Sequence, residues 1–205
     1  MKTCVLATNN TNKVKELNAM LRSESVRITS LPESGLVFVP EESGTTFEEN
    51  AIQKATETAE MLKKIGHGDM IVLADDSGLS IDALDGEPGV DSALFLGADT
   101  PYDIRNAHLI EMMDDVPDEK RTARFICVIA CVLPDGRTFA TNGEIEGIIS
   151  RTPQGDNGFG YDPIFFIPSF GKTTAQLSQN DKNKISHRGK AFRKMIEKLK
   201  KERII

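Results

Sequence analysis

The chain has 205 residues, 39% of them hydrophobic and 27% charged, and a net charge of −6. That length suits one domain with a sizeable buried core, and the composition is that of an ordinary globular protein. The charge excludes an overall electrostatic surface for nucleic acid or an anionic membrane, although an acidic protein binds anions where its basic residues gather locally.

The longest apolar run, Phe125 to Leu133, is too short to span a bilayer, so no membrane partner is expected. In chain order, Thr3 to Ala7 reads as a first strand, too short for a signal-peptide apolar core. The polar run Thr8-Asn9-Asn10-Thr11-Asn12-Lys13 leads into a helix whose apolar residues Val14, Leu17 and Leu21 keep helical spacing. Strand, polar loop and helix together present backbone N–H groups and a helix N-terminus to an anion. Thr8, Asn10 and Asn12 add side-chain donors, and Lys13 adds a point charge suited to phosphate. The glycines of a Walker loop are missing, and the same run also serves as a plain helix cap.

Val26 to Leu31 reads as a second strand, and residues 32–44 as a loop ending in Pro40-Glu41-Glu42-Ser43-Gly44. Thr46 with Glu49 predicts a capping box at the head of a helix that buries Ile52, Ala55, Ala59 and Leu62 and stops at Gly66. Lys54 lies beside that apolar stripe, placed either to snorkel or to reach a phosphate. Ile71-Val72-Leu73-Ala74 predicts a buried strand that ends in Asp75 and Asp76, with Ser77-Gly78 turning the chain. Two adjacent acids repel unless a cation neutralises them, and a hard divalent ion such as Mg²⁺ prefers carboxylate oxygens. Asp85-Gly86-Glu87-Pro88-Gly89 is a turn-dense loop.

Thr100-Pro101 predicts a helix start, with Thr as cap and Pro at the first helical position. The helix continues through Ile104, Ala107 and Ile110 to about Asp115. Arg121 to Leu133 reads as a long strand, Pro134-Asp135-Gly136 as a turn, and residues 137–150 as one or two returning strands. A hairpin inside a chain that otherwise alternates strand and helix predicts a mixed sheet in an α/β protein. Cys4, Cys127 and Cys131 all fall in strand-like runs. The last two stand roughly 13 Å apart along a strand, beyond disulfide reach. They read as buried thiols in a reducing compartment, with the cytoplasm as the expected location.

In QGDNGFGYDPIFF, three glycines space the chain around Phe159, Tyr161 and Asp162. A loop aromatic can stack on a base, and an Asp beside it can accept hydrogen bonds from the base edge. Further on, Lys182, Lys184, His187 and Arg188 crowd together before a last helix that buries Phe192, Met195, Ile196 and Leu199. His187 and Arg188 at a helix start oppose the dipole, which a bound anion or carbonyl would explain.

The stretches ATNNTNK followed by KVKEL, EESGTTFEENAIQKA, ADDSGLSIDALDGEPGVDSA, GFGYDPIFF, GKTTAQLSQNDKN and ISHRGKA run in order from Ala7 to Ala191. In that order they strongly resemble the inosine/xanthosine triphosphate pyrophosphatases, which act on noncanonical purine nucleotides. The resemblance implies a single domain over residues 1–205, with an elongated mixed β-sheet flanked by helices and two lobes around a central cleft. It also implies a homodimer and Mg²⁺-dependent hydrolysis of ITP, dITP and XTP to the monophosphate and pyrophosphate. Carried over by motif, Thr8, Asn9, Asn10, Thr11, Asn12 and Lys13 bind the triphosphate with help from Lys54. Asp76 is the general base and a metal ligand, with Ser77 beside it on the substrate. Glu42 is preferred to Glu41 as the second ligand, because its spacing to Lys54 fits the family. Phe159, Gly160, Tyr161, Asp162, Lys182, His187 and Arg188 form the nucleobase pocket. One departure stands out: Leu94 and Phe95 follow GVDSA where many relatives carry Arg and Tyr. Two other classes remain open: a nucleotide-sensing module without hydrolysis, and a Maf-type pyrophosphatase with a different base preference.

Overall fold

A computed structural model describes residues 2–21 and 26–205. Its strands are β1 (Lys2–Leu6), β2 (Val26–Thr29), β3 (Ile71–Ile81), β4 (Thr122–Val132), β5 (Thr138–Ile149), β6 (Phe165–Ile167) and β7 (Lys172–Thr173). Its α-helices are α1 (Thr11–Met20), α2 (Phe47–Lys64), α3 (Tyr102–Met112), α4 (Gln179–Ile185) and α5 (His187–Lys201). The sheet order is β2-β1-β3-β4-β5-β6-β7. β1 pairs in parallel with β2 and β3, whereas β5, β6 and β7 pair antiparallel. The sheet is therefore mixed and flanked by helices, as the strand–helix alternation with one hairpin requires.

The chain forms two compact units and passes between them after Asp76, Ile126, Gly143 and His187. In the first unit the strands are apolar on both faces because helices cover both. Cys4, Leu6, Ile71, Leu73, Cys127 and Ile129 point to the side where Leu17 of α1 and Phe192 and Met195 of α5 are buried. Val5, Val72, Ala74, Val128 and Ala130 point to the other side, against Ala51 and Ala55 of α2. The second unit has its own core around Leu79, Ile81, Leu109, Phe125, Ile145, Ile164 and Phe165.

Several elements depart from expectation. β3 does not turn at Ser77-Gly78 but stays extended to Ile81; the turn falls at residues 82–86, where Asp85 and Gly86 have φ of 54° and 92°. Cations flank the two acids laterally, so the strand accommodates them without breaking. α3 starts one residue later than predicted, with Pro101 at the cap position and no side-chain cap bond, because the Thr100 hydroxyl donates to Leu96 O instead. It ends at Met112 and buries Arg105, Asn106 and Leu109, leaving Ile104 exposed. Arg105 turns inward because its guanidinium is taken up by the carbonyls of Ser92, Ala93, Gly97, Ala98 and Thr100. The basic run before the last helix is itself a helix, α4, capped by Ser178 accepting from Asp181 N. The Thr46–Glu49 capping box, the hairpin turn at Pro134-Asp135-Gly136 and the three free, buried cysteines are as expected.

Candidate active site

Strand alternation sends the two adjacent acids of β3 to opposite faces. Asp75 follows Ile71 and Leu73 toward α1 and α5. Its Oδ2 accepts from Arg188 Nε at 2.8 Å and from the Cys127 thiol at 3.2 Å, and Lys13 pairs with its Oδ1. Arg188 also donates through Nη1 to Glu16 at 2.7 Å. Burial would push the Asp75 carboxyl up, but Arg188 and Lys13 hold it well below the usual carboxylate range. Burial likewise works against the charge on Arg188, and Asp75 and Glu16 more than offset it.

Asp76 follows Val72 and Ala74 toward α2. The Lys54 ammonium lies 2.6 Å from Asp76 Oδ1 and 2.5 Å from Glu42 Oε1, and it reaches the Asp75 carbonyl at 3.1 Å. Burial pushes the Asp76 carboxyl up by more than Lys54 pulls it down. Lys54 stays firmly protonated, because the two carboxylates outweigh its own burial.

Asp76 Oδ2 is buried and has no hydrogen-bond partner among the described residues. A buried carboxylate oxygen without a partner is costly and calls for a cation or a donor from outside the chain. No group of three or more His, Cys, Asp or Glu poised around a metal ion occurs among the described residues. A pair of carboxylates suits Mg²⁺, which binds through one or two carboxylates and keeps its other positions for water and phosphate. Asp76 and Glu42, drawn together by Lys54, fit that ion.

Glu42 owes its position to α2. Glu41 N donates to Glu57 at 2.9 Å, Ser43 N to Gln53 at 3.3 Å, and Gly44 N to Asn50 at 2.7 Å. The segment thus lies along one helix face, and Glu42 turns to Lys54 on the same helix. In the Thr8–Lys13 loop, Asn10 N donates to the Thr8 hydroxyl and Asn12 N to the Asn10 side chain. Asn10 is the N-cap of α1, and residues 9–12 are exposed. Asn9 donates to Phe38 O at 3.0 Å.

The second unit holds the other predicted cluster. The buried Asp162 carboxylate accepts from Phe159 N at 2.8 Å, from Thr174 Oγ1 at 2.8 Å and from Lys182 Nζ at 2.6 Å. Lys182 Nζ also lies 5.0 Å from the Phe159 ring centre. A side chain at Gly158 would collide with Asp162, and its φ of 78° independently favours glycine. Tyr161 is a core post: its hydroxyl donates to Ser92 O at 2.7 Å, and burial pushes its pKa to about 12. The His187 ring stacks on Phe125 at 4.8 Å.

The structure therefore gathers Lys13, Glu42, Lys54, Asp76 and Arg188 in the first unit, and Phe159, Asp162 and Lys182 in the second. Ser77 follows Asp76 on β3 and is half-buried. Three contributors were not anticipated. Glu16 betrays itself only by lying between Val14 and Leu17 on the buried face of α1. Cys127 and Thr174 carry no sequence signal that separates them from core residues.

Paired buried acids ringed by cations on a mixed α/β sheet make this the candidate site of a hydrolase. The Ham1 family model matches residues 4–198, and this chain belongs to that family. It is 44% identical to a dITP/XTP pyrophosphatase of Clostridium perfringens over 98% of both chains. It is 49% identical to a dITP/XTP pyrophosphatase of Nitratidesulfovibrio vulgaris over 95% of this chain and 94% of that one. Among solved structures, the Staphylococcus aureus Ham1 protein matches at 37% identity and a TM-score of 0.84, covering 98% of this chain and all of that one. A HAM1 protein from Coxiella burnetii matches at 38% identity with the same TM-score and coverage.

Proposed function

We propose that this chain hydrolyses noncanonical purine nucleoside triphosphates (dITP, ITP and XTP) to the monophosphate and pyrophosphate, and that Mg²⁺ assists. The observation that carries the reading is the unpartnered, buried Oδ2 of Asp76, next to a lysine that bridges Asp76 to Glu42. The names of the relatives supply the substrate class. Bound by Asp76 and Glu42, the ion would screen phosphate charge.

Everything else is the work of side chains. Asp76 accepts the proton of the attacking water, whose oxygen bonds to the α-phosphorus as the α–β bridging bond breaks. The bond's electrons leave with pyrophosphate, and Lys13 and Lys54 stabilise the charge that builds there. We assign triphosphate binding to Thr8–Lys13. We assign base recognition to Phe159 by stacking, and to Lys182 and the backbone N–H groups of Gly158, Gly160 and Tyr161 as donors; Phe159 N is taken by Asp162. A 6-oxo purine satisfies such donors, whereas adenine offers an amine there. We also assign a cytoplasmic location, in keeping with three buried free thiols; no helix among the described residues is long and apolar enough to cross a membrane.

The test is pyrophosphate release from ITP, dITP, XTP, GTP and ATP, with Mg²⁺ and with excess EDTA. Turnover of ITP, dITP and XTP well above ATP, abolished by EDTA, is expected. Equal turnover of ATP removes the donor pocket, and no turnover of any substrate leaves a nucleotide-binding module instead.

A further inference from the structure

A surface of the first unit remains without a role in that chemistry. On α5, Lys190, Arg193, Lys194, Lys198, Lys200 and Lys201 are all exposed, and at 100° per residue they fall on one face. Glu197 is the one acid on that face, so it carries five net positive charges in a chain whose net charge is −6. The opposite face is the buried one, with Phe192, Met195 and Leu199.

The solvent face of an amphipathic helix is charged in any case, but here nearly all of the charge has one sign. Lys190 with Lys194, and Lys194 with Lys198, are like-charge pairs at i, i+4, which destabilise a helix. The dipole favours Lys198, Lys200 and Lys201 in the last turn but opposes Lys190 and Arg193 near the start. Lys194 donates to Asn142 O at 2.8 Å, and Lys198 lies 4.7 Å from the Phe139 ring centre.

Where α5 ends, the chain enters the rim of a separate cavity of about 490 Å³. Lys2, Arg137 and Arg203 line it over an apolar floor that includes Ile71, Leu133 and Pro134. Asp69 and Asp135 also line it, and Asp135 is engaged by Arg137 at 2.9 Å. The cavity lies at the start of β1 and β3, the end of those strands opposite the Thr8–Lys13 loop and Asp76.

We propose that the basic face of α5 and this adjoining cavity form a docking surface for single-stranded nucleic acid, with phosphates along the helix and one unstacked base in the cavity. From Lys190 to Lys201 the helix rises about 16 Å, a length over which a single strand presents several phosphates to the five net charges. The face exposes no apolar side chain, which removes the insertion that a membrane-surface helix uses. The cavity has the size of a small-molecule site and the apolar floor that an unstacked base requires.

The test uses the full chain and a fluorescein-labelled 20-nucleotide oligo-uridine, read by anisotropy. Binding in the range of about 10⁻⁴ to 10⁻⁶ M is expected, weakening about 10²-fold from 50 to 200 mM salt if five phosphates are neutralised. The K198E/K201E variant is expected to bind at least tenfold more weakly while keeping a folded circular-dichroism spectrum and wild-type ITP turnover, with some loss of melting temperature from the two acids in the last helical turn. K201S/R203S provides a milder second variant, with a smaller loss in the same direction. Absence of binding at 50 mM salt overturns the proposal, as does binding unchanged in both variants. Equal binding to phosphatidylserine vesicles or polyglutamate overturns the choice of nucleic acid, and equal binding of a 20-base-pair duplex overturns the role of the cavity.

Discussion

Asp75 and Asp76 are neighbours in sequence and opposites in behaviour, and the two-residue repeat of a strand is the reason. Asp75 is buried among Arg188, Lys13 and the Cys127 thiol, which keep it ionised. Asp76 shares a single lysine with Glu42, and burial leaves its carboxyl raised above the usual aspartate value. A general base works only when ionised, so the acid limb of kcat/KM for ITP should fall at a higher pH than an ordinary carboxylate gives. Asp76→Asn should lose on the order of 10²-fold or more in turnover with the fold retained, measured by pyrophosphate release and circular dichroism. Near-normal turnover of that variant would take Asp76 out of the base role. Asp75 carries the opposite sign. Its depressed carboxyl contributes stability that is present above 3.8 and lost as pH falls through the lower folded value. Arg188→Ala leaves that carboxylate buried with Lys13 as its remaining cation, which should cost about 3–5 kcal/mol in urea unfolding at pH 7. In the variant, burial raises the Asp75 carboxyl, so its stability falls as pH rises and the gap to wild type should narrow toward pH 4. A gap independent of pH would remove Asp75 as the cause. The same pairing gives Arg188 the task of holding Asp75, beside the base-pocket role that the resemblance implies.

At the scale of elements, the Glu41–Thr46 segment is fixed by α2 rather than by its own turns. Asn50, Gln53 and Glu57 accept its backbone N–H groups, and Gly44 lies so close that a Cβ there would stand 2.6 Å from Glu49 Cβ and 2.8 Å from Asn50 Oδ1. Gly44→Ala should therefore lift the segment and draw Glu42 away from Lys54. Turnover is expected to fall at least tenfold, with a small change in melting temperature because Glu42 is partly exposed. Unchanged turnover would mean that the carboxylate of Glu42 is dispensable. That contact also marks a limit of the sequence. The capping box, the apolar stripe of α2 and the β4–β5 hairpin are local patterns, and they were legible as such. The two faces of β3 were legible in principle from alternation, yet the Ser77-Gly78 pair suggested a turn. Only lateral cations from α1, α2 and α5 explain why the strand runs on, and those contacts join residues far apart in sequence. Arg105 in α3 taught the same lesson: an arginine on the buried face becomes intelligible once five carbonyls are found around it. Motif order identified the candidate residues of the site; it did not reveal that Asp162 is bound within its own loop by Phe159 N, Thr174 and Lys182.

For the molecule as a whole, the second unit exposes Leu94 at 54%, Leu96 at 45%, Ile104 at 53% and Met112 at 40%. Single exposed apolar residues are ordinary, but several on one compact unit resemble the core of a protein–protein interface. Leu94 is apolar, so any contact at this position gains from burial where a charge would have to be desolvated. We propose that the homodimer implied by the resemblance forms through the loop near Asp91 to Leu96 or through the Arg121–Leu133 hairpin region. Light scattering at micromolar concentration should return about twice the chain mass of 22.5 kDa. A Leu94→Glu/Leu96→Glu variant should shift that mass toward the monomer, because two carboxylates would then have to be desolvated on association. A wild-type particle of one chain mass would refute the dimer. A wild-type dimer that the variant leaves intact would move the interface elsewhere, with the β4–β5 hairpin as the next surface to substitute.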